Sequence, residues 1–177
     1  MRNPNLKRTR ALTLCGALAA LSVVLLAIGE LLMVLDLSMA VIASLLVIFA
    51  VIELGRSYAL ALYAVTAVLA LLICPQKSAA IAYAFFAGYY PILKAIFESK
   101  FSRFWGWVLK ILVFNAGLAV GVLVAVRLFS ALVFDAAWQY AALLLATPIF
   151  VLYDVALTRV ITAYVTGWRQ RFTFLHK

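Results

Sequence analysis

Acid, histidine and cysteine are all scarce in this chain. Six aspartates and glutamates stand against fifteen lysines and arginines, there is one histidine, His176, and there are two cysteines. With a single imidazole, neither a histidine-based metal centre nor a Ser/His or Cys/His nucleophile pair can be assembled. Cys15 and Cys74 lie in apolar runs and in no CxxC or metal-type spacing, so they read as buried small residues. No GxxxxGK[ST] phosphate loop occurs, so any ATP-driven process must be powered by another chain. Charged residues make up 12% of the 177, about half of what a soluble domain carries.

What fills the chain instead is hydrocarbon. It is 68% hydrophobic, with a mean hydropathy of +1.16. Nothing is left over for a soluble domain, and an integral membrane protein is the class that this composition implies. A bilayer core takes about 20 apolar residues as helix. Such runs fall at 10–29, 38–54, 57–74, 79–97, 107–134 and 137–166, separated by "ELLMVLDLS", "LGRS", "CPQKSA", "ESKFSRFWG" and "FDAA". Paired strands of alternating polarity are missing, which excludes a barrel. The expected fold is an all-α bundle of six transmembrane helices. The first run has a long apolar core and no cleavage signature before Glu30, so it reads as a retained span.

The basic residues orient the bundle. With both termini in the cytoplasm, the inner side collects 13: Arg2, Lys7, Arg8, Arg10, Arg56, Lys94, Lys100, Arg103, Lys110, Arg159, Arg169, Arg171 and Lys177. The outer side keeps 2, Lys77 and Arg127. That split follows the positive-inside rule. The organisation read from it is a basic cytoplasmic N-terminus at 1–9, a six-helix transmembrane domain at 10–166, and a basic, aromatic cytoplasmic tail at 167–177. The net charge of +9 is an orientation signal, with lipid headgroups as partners and no nucleic acid. Trp105, Trp107 and Trp168 fall at the inner boundary and Trp138 at the outer one, as interfacial rings should. The last two runs, at about 42 Å and 44 Å as helix, exceed a core of about 30 Å. They predict a raised outer hairpin around "SALVFDAAWQY".

Several polar residues interrupt the apolar runs. Lys94 and Glu98 are four apart and share a helix face, as an interfacial ion pair would. Glu53 and Arg56, three apart, read the same way. Asp154 lies within the last span, where an ionisable residue is a functional hypothesis by default. In "GYYPILKAIFESK", Pro91 removes a backbone donor and predicts a kink near Gly88. Tyr90 and Asn115 match in depth on antiparallel neighbours, which predicts a hydrogen bond between them. Tyr90, Pro91, Lys94, Glu98 and Asn115 together read as a structural polar joint. Small residues recur every four positions at Ala11, Cys15 and Ala19, at Ala80, Ala84 and Gly88, and at Gly117, Gly121 and Ala125. Such faces permit close helix approach, within one chain or between chains.

Six short spans, a basic start and a first span "RALTLCGALAALSVVLLAIG" with a stacked small-residue face followed by "ALSVVL" carry a resemblance. In layout nearly the whole chain resembles the substrate-binding S component of energy-coupling factor (ECF) transporters. The resemblance implies that Ala11, Cys15 and Ala19 dock on a transmembrane coupling subunit, with ATPases supplied in trans. It also implies a solute site opening outward beneath the loops. The outer polar residues offered to it are Glu30, Asp36, Tyr83, Arg127 and Gln139. Members that handle nickel or cobalt carry an N-terminal histidine, and "MRNPNLKRTR" has none. So thin a polar set suits a largely apolar or vitamin-like molecule better than a highly charged one. "GYYPILKAIFE" and "KILVFNAG" also resemble uncharacterised small membrane proteins of Gram-positive bacteria. The expectation is a non-enzymatic, cofactor-free solute-binding subunit in a bacterial cell membrane. The alternative is a non-transporting partner that stabilises or regulates another membrane protein through its small-residue faces.

Overall fold

The computed structural model describes residues 4–32, 35–75, 77–129 and 136–168, and all regular structure among them is helical. Helix α1 is Pro4–Leu31, α2 is Asp36–Glu53, α3 is Arg56–Ile73, α4 is Ser78–Ala82, α5 is Tyr90–Lys100, α6 is Arg103–Phe129 and α7 is Ala136–Ala163. A π-helical turn, Tyr83–Ala87, joins α4 towards α5, and a second, Tyr164–Trp168, follows α7. Six stretches are long and apolar enough to cross a membrane: Arg8–Leu31, Asp36–Glu53, Arg56–Ile73, Ser78–Lys100, Phe104–Val124 and Leu145–Gly167. The chain is thus a multi-pass helical membrane protein in architecture. Residues 4–9 of the basic N-terminal stretch are helical and form the first turns of α1. The expected outer hairpin centres on 130–135, which lie outside the described residues, as does the tail beyond Trp168.

The chain divides into two compact units, Met1–Val133 and Phe134–Lys177. In the first, α1, α2 and α3 pack against one another over a core made largely of alanine: Ala19, Ala40, Ala43, Ala50, Ala59, Ala67 and Ala70 are all buried. Between helices in lipid there is little hydrophobic drive, so close van der Waals contact through small side chains does the holding. The register is uniform. The Cys15 thiol donates to the Tyr58 carbonyl at one end, and Glu30 meets Cys74 at the other, so α1 and α3 run side by side in the same direction. The turn between α2 and α3 needs Gly55, whose φ of +94° few side chains tolerate and whose N–H reaches back to the Ala50 carbonyl at 3.0 Å.

The fourth span is broken, and its sequence shows why. Gly88 N–H donates to Tyr83 O at 2.8 Å, one residue further back than an α-helix allows. The carbonyl of Ala84, which would otherwise take that proton, accepts from the Tyr63 hydroxyl at 2.8 Å. Gly88 leaves room for this arrangement, because a Cβ there would stand 2.6 Å from Tyr63 and 2.8 Å from Tyr83. Pro91, in the first turn of α5, has no N–H to offer Ala87, and the α-helix restarts at Tyr90. The break therefore spans 83–89, on the N-terminal side of the proline.

In the second unit, α7 carries Pro148 in its interior. Asp154 is 2% exposed there, and Arg159 is exposed. Thr158, Thr162 and Thr166 each return their hydroxyl to the carbonyl four residues back.

Candidate functional site

The first unit is polar at both ends. The basic end gathers the start of α3, the end of α5 and the start of α6. Lys94 (1% exposed) and Lys110 share one carboxylate, Glu98, at 2.9 Å and 2.7 Å. The Lys94–Glu98 pair follows from helix spacing, whereas Lys110 comes from a different helix. The Lys110 ammonium also stands 5.3 Å from the centre of the Trp107 ring. Arg56, read from the sequence as a neighbour of Glu53, reaches across to Ala95 O at 3.1 Å and Ser99 Oγ at 3.0 Å. A guanidinium can cap both the carbonyl and the hydroxyl near the end of α5.

The expected joint between Tyr90 and Asn115 is not formed. The Asn115 amide donates to Ile111 O on its own helix at 2.9 Å. Tyr90 is buried with its ring near Phe86, whose ring in turn sits edge-on to Phe114. Tyr89, one residue earlier, packs directly against α6 at Gly117. A Cβ added at Gly117 would lie 2.2 Å from its hydroxyl and 2.6 Å from Phe85 O. Gly121 likewise faces Phe85, so the small-residue faces of the fourth span and of α6 are used in packing the chain on itself. The same holds for α1. Cys15 and Ala19, expected on a docking face, are buried in the core beside α3, and Ala11 is half-buried. The open ridge of α1 is the neighbouring one, with Gly16 and Ala20 exposed.

The other end is the acid end, and it is the candidate site. Glu30 closes α1, Asp36 opens α2, Cys74 ends α3, and Lys77 and Ser78 lead into α4. Glu30 is 2% exposed, a carboxylate withdrawn into an otherwise apolar bundle. The Ser78 hydroxyl donates to Asp36 Oδ2, while Asp36 Oδ1 is shielded and has no partner among the described residues. Lys77 takes a left-handed conformation (φ 63°), which turns the chain sharply into α4. Cys74 follows the last spanning residue of α3 and is fully buried. Burial pushes its thiol up to about 11, and the charge and hydrogen bond of Glu30 push the same way. A thiol raised in this way stays protonated at neutral pH.

Of the five residues offered as ligand-binding, Glu30 and Asp36 come together here. Tyr83 is fully buried on the π-helical turn, at the level where Tyr63 bonds its neighbour Ala84. Arg127 is exposed near the end of α6 and makes no ion pair with a described residue. Gln139 lies early in α7, and its side chain falls outside the described residues. Sequence reasoning missed Cys74 and Ser78. The available signal was that "CPQKS" and the Glu30-to-Asp36 connection must return to the same end of an up-and-down bundle. No family model, no curated protein and no solved structure matches the chain. Fold and site define a multi-pass helical membrane protein with a buried acid end.

Proposed function

We propose that the chain is the solute-binding subunit of an uptake transporter in a bacterial cell membrane, similar in layout to an ECF S component. It captures a small, largely apolar or vitamin-like molecule from outside and relies on coupling and ATPase subunits supplied in trans. One observation carries this reading: Glu30, an acid withdrawn into the bundle, is gathered with Asp36, Cys74 and Ser78 at one end. Burying a carboxylate in a membrane-spanning bundle is costly, and proteins that keep one there generally use it. The positive-inside distribution supports cytoplasmic termini, which turns the acid end outward. With Cys15 and Ala19 packed internally, docking on a coupling subunit falls to the exposed ridge of α1 that carries Gly16 and Ala20.

The test is purification from native membranes in mild detergent, with mass spectrometry of retained proteins and small molecules. The reading expects one small molecule near unit stoichiometry, together with a transmembrane coupling subunit and an ATPase. A stable complex with some other membrane protein and no retained solute would overturn it in favour of a non-transporting partner.

A further inference from the structure

Two buried lysines from different helices lean on one carboxylate at the basic end. The side chains of Lys94 and Lys110 are 1% and 5% exposed, and both ammonium groups meet the same atom, Glu98 Oε1, at 2.9 Å and 2.7 Å. The two cations therefore stand within about 6 Å of each other, with little water between them to screen like charges. Glu98 itself is 50% exposed. Apolar side chains in place of a buried ion pair commonly leave a protein as stable or more so, and stability alone does not account for this arrangement. With the carboxylate in place the lysines are held together; with it withdrawn they push α5 and α6 apart.

The fourth span is jointed where such a push would act. Its upper half is gripped by packing: Ala79, Ala80, Ile81, Tyr83 and Ala87 are buried, and α4 lies against α1, α2, α3 and α6. In α5, full burial of apolar side chains ends at Ile92. Beyond Lys94, Ile96 packs on the core half-buried, and Glu98, Ser99 and Lys100 are exposed. The other ties there are polar, Arg56 to Ala95 O and Ser99 Oγ, and Lys110 to Glu98. Between the two halves lies the break at 83–89, and Pro91 denies Ala87 the helical donor that would stiffen it.

We propose that Glu98 is the latch of a hinged arm. While its carboxylate bridges Lys94 and Lys110, α5 lies against α6; once the carboxylate is drawn away, the two ammonium groups repel and α5 swings about the 83–89 joint. Of the three, Glu98 is the most open to water, so the latch is worked from outside the bundle. The upper half stays in place, with Ser78 on Asp36 at the acid end. The device does not depend on what the chain carries. The arm from Gly88 to Lys100 is about 18 Å long at 1.5 Å per residue, so a swing of roughly 20°, the scale of a sharp kink, moves its tip by about 6 Å.

Spin labels on paired cysteines, with distances read by double electron–electron resonance on the full chain in lipid nanodiscs, test the latch. Leu12→Cys with Lys100→Cys reports the arm against α1, and Leu12→Cys with Leu72→Cys reports the α1–α3 frame. All three sites are exposed, and the native Cys15 and Cys74 are buried. Glu98→Gln should shift the arm distance by about 6 Å, or spread it over that range, and leave the frame distance unchanged. Adding Lys110→Met to Glu98→Gln should return the arm to its wild-type position, because one of the two repelling charges is gone. Lys110→Met alone keeps Lys94 on Glu98 and should not move the arm. If Glu98→Gln misfolds and loses the frame distance, Glu98→Asp serves, since its shorter side chain cannot hold both ammonium groups at once. An arm that stays in place in both Glu98 variants would overturn the latch. Equal movement in Lys110→Met and Glu98→Gln would overturn the repulsion and make Glu98 a plain bridge between two helices.

Discussion

At Gly117 a single methyl group decides whether α6 can approach the fourth span. A Cβ there would meet Tyr89 Oη at 2.2 Å and the Phe85 carbonyl at 2.6 Å, and the second of these is backbone and cannot swing aside. Gly117→Ala should therefore lower stability by about 1–3 kcal/mol, despite alanine's better helix propensity, as overpacking commonly does. Gly16→Ala is the matched control, since nothing lies within 4 Å of its Cβ position. It should leave the melting temperature unchanged or raise it slightly. Asn115 makes the opposite point. Because its amide bonds Ile111 O on its own helix, Tyr90→Phe and Asn115→Leu should add to within about 0.5 kcal/mol in detergent melts. A coupling well above that would mean that the two side chains interact after all. Depth arithmetic could match Tyr90 and Asn115 in height, but it contains no information on how each helix is rotated about its axis. That missing angle is why Tyr89 lies against Gly117 while the Asn115 amide turns back to its own helix. The acid end was half legible for the same reason: Glu30 and Asp36 flank one connection in sequence, while Cys74 and Ser78 join them only through the packing of α3 and α4.

The spans themselves were readable element by element, because hydropathy along one helix is a local property. Runs at 38–54 and 57–74 differ by a residue or two from Asp36–Glu53 and Arg56–Ile73. What hydropathy cannot register is the change of hydrogen-bond pattern inside the fourth span, since Tyr83–Ala87 is as apolar as any α-helical stretch. Gly88 and Pro91 marked its position, but the π-helical turn exists because Tyr63, from α3, takes over the Ala84 carbonyl. Tyr63→Phe should therefore cost roughly 0.6–2 kcal/mol, the range for hydrogen bonds between membrane helices, and raise amide exchange around 83–88 in particular. A uniform change along the helix would contradict that role. The small-residue face of α1 belongs to this scale too. Ala19→Leu should destabilise the isolated chain by about 1–3 kcal/mol, because Ala19 is buried in the α1–α3 core. An unchanged melting temperature would argue that the face is open.

For the molecule as a whole, the two ends of the first unit differ in kind. One holds Lys94, Lys110 and Arg56 around Glu98 and Ser99; the other holds Glu30 and Asp36 with Lys77 beside them. The proposed capture of solute from outside requires the second end to face away from the cytoplasm. Single cysteines at Lys77 and at Arg103 report on the two ends, and both native thiols are buried and so add little background. Intact cells treated with a membrane-impermeant maleimide give the most direct reading. The account predicts that Lys77→Cys is labelled at once, while Arg103→Cys is labelled only after the membrane is permeabilised. Labelling of Arg103→Cys in intact cells, with Lys77→Cys protected, would put the acid end in the cytoplasm and contradict capture from outside.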